Sequence, residues 1–231
     1  MRIKICGITN LEDALLSAYL GADALGFIFA KESPRAITPE SARSIIDKLP
    51  PFIVSVGVFV DSPEEEIVSI IKHTGIQCVQ LHGNESPSDY SKIKIPVIKA
   101  FRVNEHFQMD TLLRFPALAY LLDTFVKEKA GGTGKTFDWD IAIAAQSYGK
   151  IILAGGLTPE NIADAIRKVH PYGIDINSGV ESSPGNKDKR KLQKLFNTIQ
   201  ILRVEQSKTL EKRGDEGIQV EHSNLQEMRH E

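Results

Sequence analysis

Two residues of this chain are suited to moving protons, Cys6 and Asp123. Each closes an apolar run: Ile3 to Ile5 stops at Cys6, and Ala117 to Leu122 stops at Asp123. A thiolate can take a proton from carbon, and a protonated carboxyl can give one to oxygen. Together that is the chemistry of an isomerisation, and it requires neither a metal nor an organic cofactor. Gly7 permits a tight turn after Cys6, and Thr9 or Asn10 can cap the helix that follows. A helix start so near is expected to favour the thiolate. Taken alone, Cys6 reads as a small buried hydrophobe. Its role therefore depends on what stands at the other strand ends.

Those ends carry further polar groups. Arg35 lies in the loop after the second apolar run, and Gln80 and His82, read as substrate contacts, close the fourth. Gly155-Gly156 and Ser178-Gly179 follow the seventh and eighth, where glycine lets backbone N–H groups approach an anion; these loops are read as a phosphate site. Gly131-Gly132-Thr133-Gly134-Lys135-Thr136 follows Asp123. A Walker A loop requires glycine at position 129, which is Lys129, so that reading fails. The segment reads instead as a loop that closes over a substrate, with Gly132 and Lys135 in contact with it. No Gly-x-Gly-x-x-Gly follows the first strand, and no His/Cys/Asp group has metal-ligand spacing. Neither a dinucleotide nor a metal is expected.

The elements that must position these groups alternate regularly. Strands are expected at 2–6, 22–29, 52–60, 76–81, 96–101, 117–122, 150–154 and 173–176. Helices are expected at 9–20, 38–48, from the Asp61–Glu65 cap to His73, at 86–90, within 105–113, at 139–146, up to His170 and at 188–201. Strands that alternate with helices form parallel sheets with right-handed crossovers. Eight such units suit a closed (β/α)8 TIM barrel better than an open doubly wound sheet. In a barrel all eight carboxyl ends face one mouth, so residues distant in sequence meet there. The expectation is one barrel domain over residues 1–202, with a polar C-terminal extension over 203–231. That extension holds five Lys/Arg, seven Asp/Glu and few large apolar residues, the composition of a disordered or loosely helical tail. His222 and His230 within it read as inert.

Composition bounds the rest. In 231 residues, 42% are hydrophobic and the formal net charge is -2. That balance offers no footprint for nucleic acid or an anionic membrane. No apolar stretch reaches the ~18 residues of a membrane span. Two cysteines, Cys6 and Cys78, are too few for a disulfide framework. With no room for a signal peptide before the first strand, a cytoplasmic protein is expected, acting as a monomer on a small molecule.

Six blocks in order carry a family resemblance. They are Lys4-Ile5-Cys6-Gly7-Ile8-Thr9, Gln80-Leu81-His82-Gly83, Leu122-Asp123, Gly131-Gly132-Thr133-Gly134 with Phe137-Asp138-Trp139, Ala154-Gly155-Gly156-Leu157 and Asn177-Ser178-Gly179-Val180-Glu181. Over residues 3–200 the chain resembles phosphoribosylanthranilate isomerase, a (β/α)8 enzyme of tryptophan biosynthesis. The resemblance implies an Amadori rearrangement of N-(5-phosphoribosyl)anthranilate to 1-(2-carboxyphenylamino)-1-deoxyribulose 5-phosphate. It implies Cys6 as general base, Asp123 as general acid and Arg35 as the contact for the anthranilate carboxylate. It places the phosphate on the loops after strands seven and eight. Asn177 stands where the family often has Ser. Another phosphosugar-handling barrel enzyme and a non-catalytic phosphosugar-binding barrel are the alternatives; binding alone requires neither Cys6 nor Asp123.

Overall fold

Aliphatic and β-branched runs, buried along most of their length, form the strands. The computed structural model describes residues 1–104, 106–123 and 139–205. Its strands are β1 (Arg2–Ile5), β2 (Ala24–Ile28), β3 (Val54–Phe59), β4 (Cys78–Leu81), β5 (Val97–Arg102), β6 (Ala119–Asp123), β7 (Ile151–Ala154) and β8 (Gly173–Ile176). They pair in sequence order, and β8 returns to β1 in parallel, from Arg2↔Gly173 to Ile5↔Ile176. The sheet is a closed barrel with no free edge, as expected from the alternation. The open doubly wound sheet is thereby excluded.

Around it lie α1 (Leu11–Leu20), α2 (Pro39–Ile46), α3 (Glu64–Thr74), α4 (Asp110–Leu113), α5 (Trp139–Ala145), α6 (Ile162–Val169) and α7, residues 189–205. A 3-10 turn, Pro87–Tyr90, replaces a helix between β4 and β5. Caps set several starts. Asn10 Oδ1 accepts from Asp13 N–H at 2.9 Å, and Thr38 Oγ1 accepts from Ser41 N–H ahead of Pro39. Among the described residues, no helix is long and apolar enough to cross a membrane.

Strand alternation divides the core. Ile3, Ile5, Leu25, Phe27, Phe59 and Leu81 point outward under the helices and are fully or almost fully buried; each is worth about 1.5–3 kcal/mol. Val56, Cys78, Ile98, Leu121 and Ile152 fill the barrel interior. On β1 the same alternation turns Lys4 inward, next to Cys6, which extends the strand by donating its N–H to Ile176 O at 2.9 Å.

Local structure departs from the sequence reading at the Asp61 cap and adds two further features. Asp61 does not cap α3, where Pro63 holds the N-cap position without a side-chain bond. Asp61 has φ 48°, and its carboxylate accepts from Asn84 N–H at 2.6 Å, so it ties down the loop after β4 instead. Asn161 holds the N-cap position of α6 without a side-chain cap bond, its side chain bonding the loop before it instead. Between β8 and α7 lies a hairpin absent from the sequence reading, β9 (Glu181–Ser183) with β10 (Asn186–Lys187). Its Pro184-Gly185 turn was the available signal.

The last helix outruns its expected end. Leu202 is buried, Arg203 Nη2 donates to Met1 O at 3.0 Å, and Glu205 pairs with Arg167 at 3.2 Å. Residues 203–205 thus continue α7, and 206–231 lie outside the described residues.

Candidate active site

The carboxyl ends of the strands surround a cavity of about 480 Å3. Cys6, Arg35, Gln80, His82, Asp123, Gly155, Gly156, Ser178 and Gly179 all line it. Gly132 and Lys135 lie outside the described residues. Cys6 needs two glycines to sit there. A Cβ on Gly26 would stand 2.7 Å from Cys6 Sγ, and Gly7 (φ 72°) passes too close to Asn177 and Arg35 for any side chain.

The charge around Cys6 corrects one expectation. Burial pushes its thiol up; the Lys4 ammonium pulls it down, Asp175 pushes it up again and Lys187 pulls it down. The balance lies above the ordinary thiol value, which favours the thiol over the thiolate expected from the helix start. The reason is desolvation: Cys6 is only 3% exposed. Beneath it Lys4 Nζ meets Asp175 Oδ2 at 2.8 Å, both side chains buried. Burial works against the charged Lys4, but its partners, Asp175 first among them, outweigh it and hold it above the ordinary lysine value.

Across the mouth, Gln80 Nε2 lies 3.0 Å from His82 Nδ1, and His82 Nε2 lies 3.2 Å from Asp123 Oδ2. The loop carrying His82 is held by a buried pair that sequence reasoning missed, Lys99–Glu85 at 2.6 Å. The Glu85 carboxylate accepts from Gly83 N–H at 2.8 Å, and Lys99 donates to Gly83 O at 2.7 Å.

Arg35 faces the cavity but is not unpaired. Its Nε and Nη2 grip the Glu181 carboxylate at 2.6–3.0 Å. Lys187 Nζ approaches Glu181 Oε1 at 3.0 Å and Asn177 Oδ1 at 3.1 Å. Burial alone would raise the Glu181 carboxyl; Arg35 and Lys187 bring it below the ordinary range. The amide oxygen of Asn177 therefore anchors Lys187. Lys187 was missed because only the β9–β10 turn brings it back to Glu181.

The two glycine loops nest. A Cβ on Gly179 would stand 1.9 Å from Leu157 O, so only glycine permits that approach. Gly155 (φ 79°) and Gly156 (φ 61°) take left-handed conformations, and a Cβ on Gly156 would meet open space. Asn161 shapes the turn, accepting from Thr158 N–H and donating to Gly156 O, each at 2.8 Å. The site thus joins a thiol, a carboxyl bonded to an imidazole, a guanidinium and a glycine cradle in one cavity.

Comparison with known proteins agrees. The profile of the family described as N-(5'-phosphoribosyl)anthranilate (PRA) isomerase matches residues 3–198. The chain is 49% identical over 208 residues to N-(5'-phosphoribosyl)anthranilate isomerase of Pelobacter propionicus, covering 90% of this chain and 100% of that protein. The structure of phosphoribosyl anthranilate isomerase from Thermotoga maritima is similar at a TM-score of 0.78 and 45% identity, covering 86% of this chain and 98% of that one. A structure of such an isomerase in complex with reduced 1-(o-carboxyphenylamino)-1-deoxyribulose 5-phosphate is similar at a TM-score of 0.76 and 41% identity, covering 86% and 97%.

Proposed function

The chain belongs to the N-(5'-phosphoribosyl)anthranilate isomerase family, and we propose that it performs that isomerisation with Cys6 as general base and Asp123 as general acid. The reaction, a step of tryptophan biosynthesis, turns the aminoaldose N-(5-phosphoribosyl)anthranilate into the aminoketose 1-(2-carboxyphenylamino)-1-deoxyribulose 5-phosphate. The observation that carries the assignment is that Cys6 and Asp123 line one cavity that ends at the glycine loops.

Asp123 protonates the furanose ring oxygen, and the C1–O bond breaks to give an open-chain Schiff base. Cys6, as thiolate, removes the C2 proton. The electron pair neutralises the iminium, and the resulting enolamine tautomerises to the ketone. Because burial raises the Cys6 thiol, its ionisation is part of reaching the active form. Amides of Gly155, Gly156, Ser178 and Gly179 receive the phosphate. Arg35 Nη1, which makes no hydrogen bond to a described residue, meets the anthranilate carboxylate while Glu181 holds the rest of the guanidinium. Gln80 orients His82, and His82 supports Asp123. Gly132 and Lys135 contact the substrate from the loop after β6.

The barrel domain, residues 1–202, contributes every one of these groups, so the activity requires no second copy, and we read the protein as a monomer. The free thiols Cys6 and Cys78 suit a reducing cytoplasm. The test is incubation with freshly made phosphoribosylanthranilate, following loss of its fluorescence. Catalysed loss beyond the spontaneous rate supports the reading; none overturns it.

A further inference from the structure

A charged pair inside a barrel is costly. Lys4 and Asp175 are 6% and 8% exposed, and they sit opposite each other in the β1–β8 register. Buried pairs of this kind add little stability over apolar residues of similar size. Their placement is specific, however. Lys4 and Cys6 share the inward face of β1. A Cβ on Gly26 would lie 2.7 Å from Cys6 Sγ and 3.1 Å from Lys4 Cε, so the thiol and the end of the lysine chain flank one spot on β2. Asp175 lines the same cavity as Cys6, and its Oδ1 is buried without a hydrogen-bond partner among the described residues.

We propose that Lys4 is a positioning residue for Cys6: pinned by Asp175 beneath the cavity floor, its ammonium is the counter-charge that the sulfur meets on losing its proton. Asp175 has a double effect. It holds the ammonium in place and charged, and it also competes for that charge and repels the thiolate. The pair therefore sets how easily the base forms, with its two members pulling in opposite directions. The other charges facing Cys6 are Lys187 from β10 and Arg35 from the loop after β2, and both share Glu181. Gly26 on β2 brings none.

The inference rests on Cys6 being the base, yet its readout needs no turnover. Iodoacetamide alkylation of Cys6 is followed against pH, with peptide mass spectrometry separating it from Cys78, whose thiol burial pushes up to about 11. Lys4→Met should move the alkylation midpoint up by about 1 pH unit or more, and Asp175→Asn should move it down. Each variant breaks the same buried pair, so a purely structural role predicts similar changes in both. Shifts in one direction, or none, overturn the proposal. Where a lone buried charge prevents folding, Lys4→Met/Asp175→Asn has no such charge. Its midpoint should still lie above the unmodified protein's, because Lys4 acts on the sulfur as both charge and donor; an unchanged midpoint overturns the proposal. Failure of the base assignment itself reads out separately, as retained kcat in Cys6→Ser.

Discussion

His82 Nε2 lies 3.2 Å from Asp123 Oδ2, and Gln80 sets the direction of that bond. With the Gln80 amide nitrogen donating, His82 Nδ1 accepts, and this assignment puts the ring N–H on Nε2. That N–H points at the carboxyl assigned as general acid. A donor so placed strengthens as Asp123 gives up its proton and becomes negative, which is where it aids the transition state.

The assigned acid and base should each carry much of the rate. Cys6→Ser keeps the shape but leaves a hydroxyl that hardly ionises, and Asp123→Asn cannot donate an acidic proton. Each should lower kcat by ~10²–10⁴-fold, while affinity for a product analogue survives. Near-native kcat in either variant removes that residue from the mechanism. In the unmodified protein kcat/KM should follow a bell-shaped pH curve, because the mechanism needs Cys6 ionised and Asp123 protonated together. Burial lifts the Cys6 thiol, so the limb that Cys6 sets should lie above about pH 8.5.

His82→Ala removes the donor to Asp123 without touching Cys6. A hydrogen bond to a charged group is worth about 1.5–3 kcal/mol, so kcat should fall roughly 10–100-fold with a smaller change in KM. Steady-state kinetics decide this; a KM effect alone would make His82 a binding contact only.

Acid should loosen the β9–β10 corner first. The Glu181 carboxyl is held below its ordinary value in the fold, against burial, by Arg35 and Lys187. Its contribution to stability is therefore complete above the unfolded value of about 4.3 and is lost as pH falls through the lower folded one. The thermal midpoint should drop in that window. In Glu181→Gln the midpoint should start lower and fall less over the same range. Parallel curves for the two proteins would place the acid sensitivity elsewhere.

The glycines should separate by role. Gly156→Asp projects a carboxylate into open space at the phosphate loop and should raise KM steeply in a protein that still folds. Gly179→Ala forces a Cβ against Leu157 O and should lower the thermal midpoint as well as weaken binding. An unchanged KM in folded Gly156→Asp would move the phosphate to another part of the cavity.

A chain ending at Glu205 should keep the thermal midpoint and turnover of the full protein. Buried Leu202, the Arg203 bond to Met1 and the Glu205 pair with Arg167 all remain in it. A large loss in either measurement would show that residues 206–231 contribute to the barrel.

Much of the architecture was legible because the barrel is local physics repeated. The alternation of Ile3 and Ile5 with Lys4 and Cys6 follows from the two-residue period of a strand. The Asn10 and Thr38 caps follow from short polar side chains at helix starts. The strand-end rule alone brings Cys6, Gln80, His82 and Asp123 to one mouth. What the sequence could not determine is which partner each polar group chooses once the chain closes. Asp61 has the chemistry of a helix cap, yet it bonds the loop after β4, because the barrel brings Asn84 N–H within 2.6 Å of it. Arg35 is a free cation in the sequence and a partner of Glu181 in the fold, through a hairpin that turns at Gly185. The state of Cys6 is the plainest case. Residue type and a nearby helix start argue for a thiolate, but burial and the sharing of Lys4 with Asp175 leave a thiol. Solvation and charge are summed over neighbours in space, and only the tertiary structure supplies those neighbours.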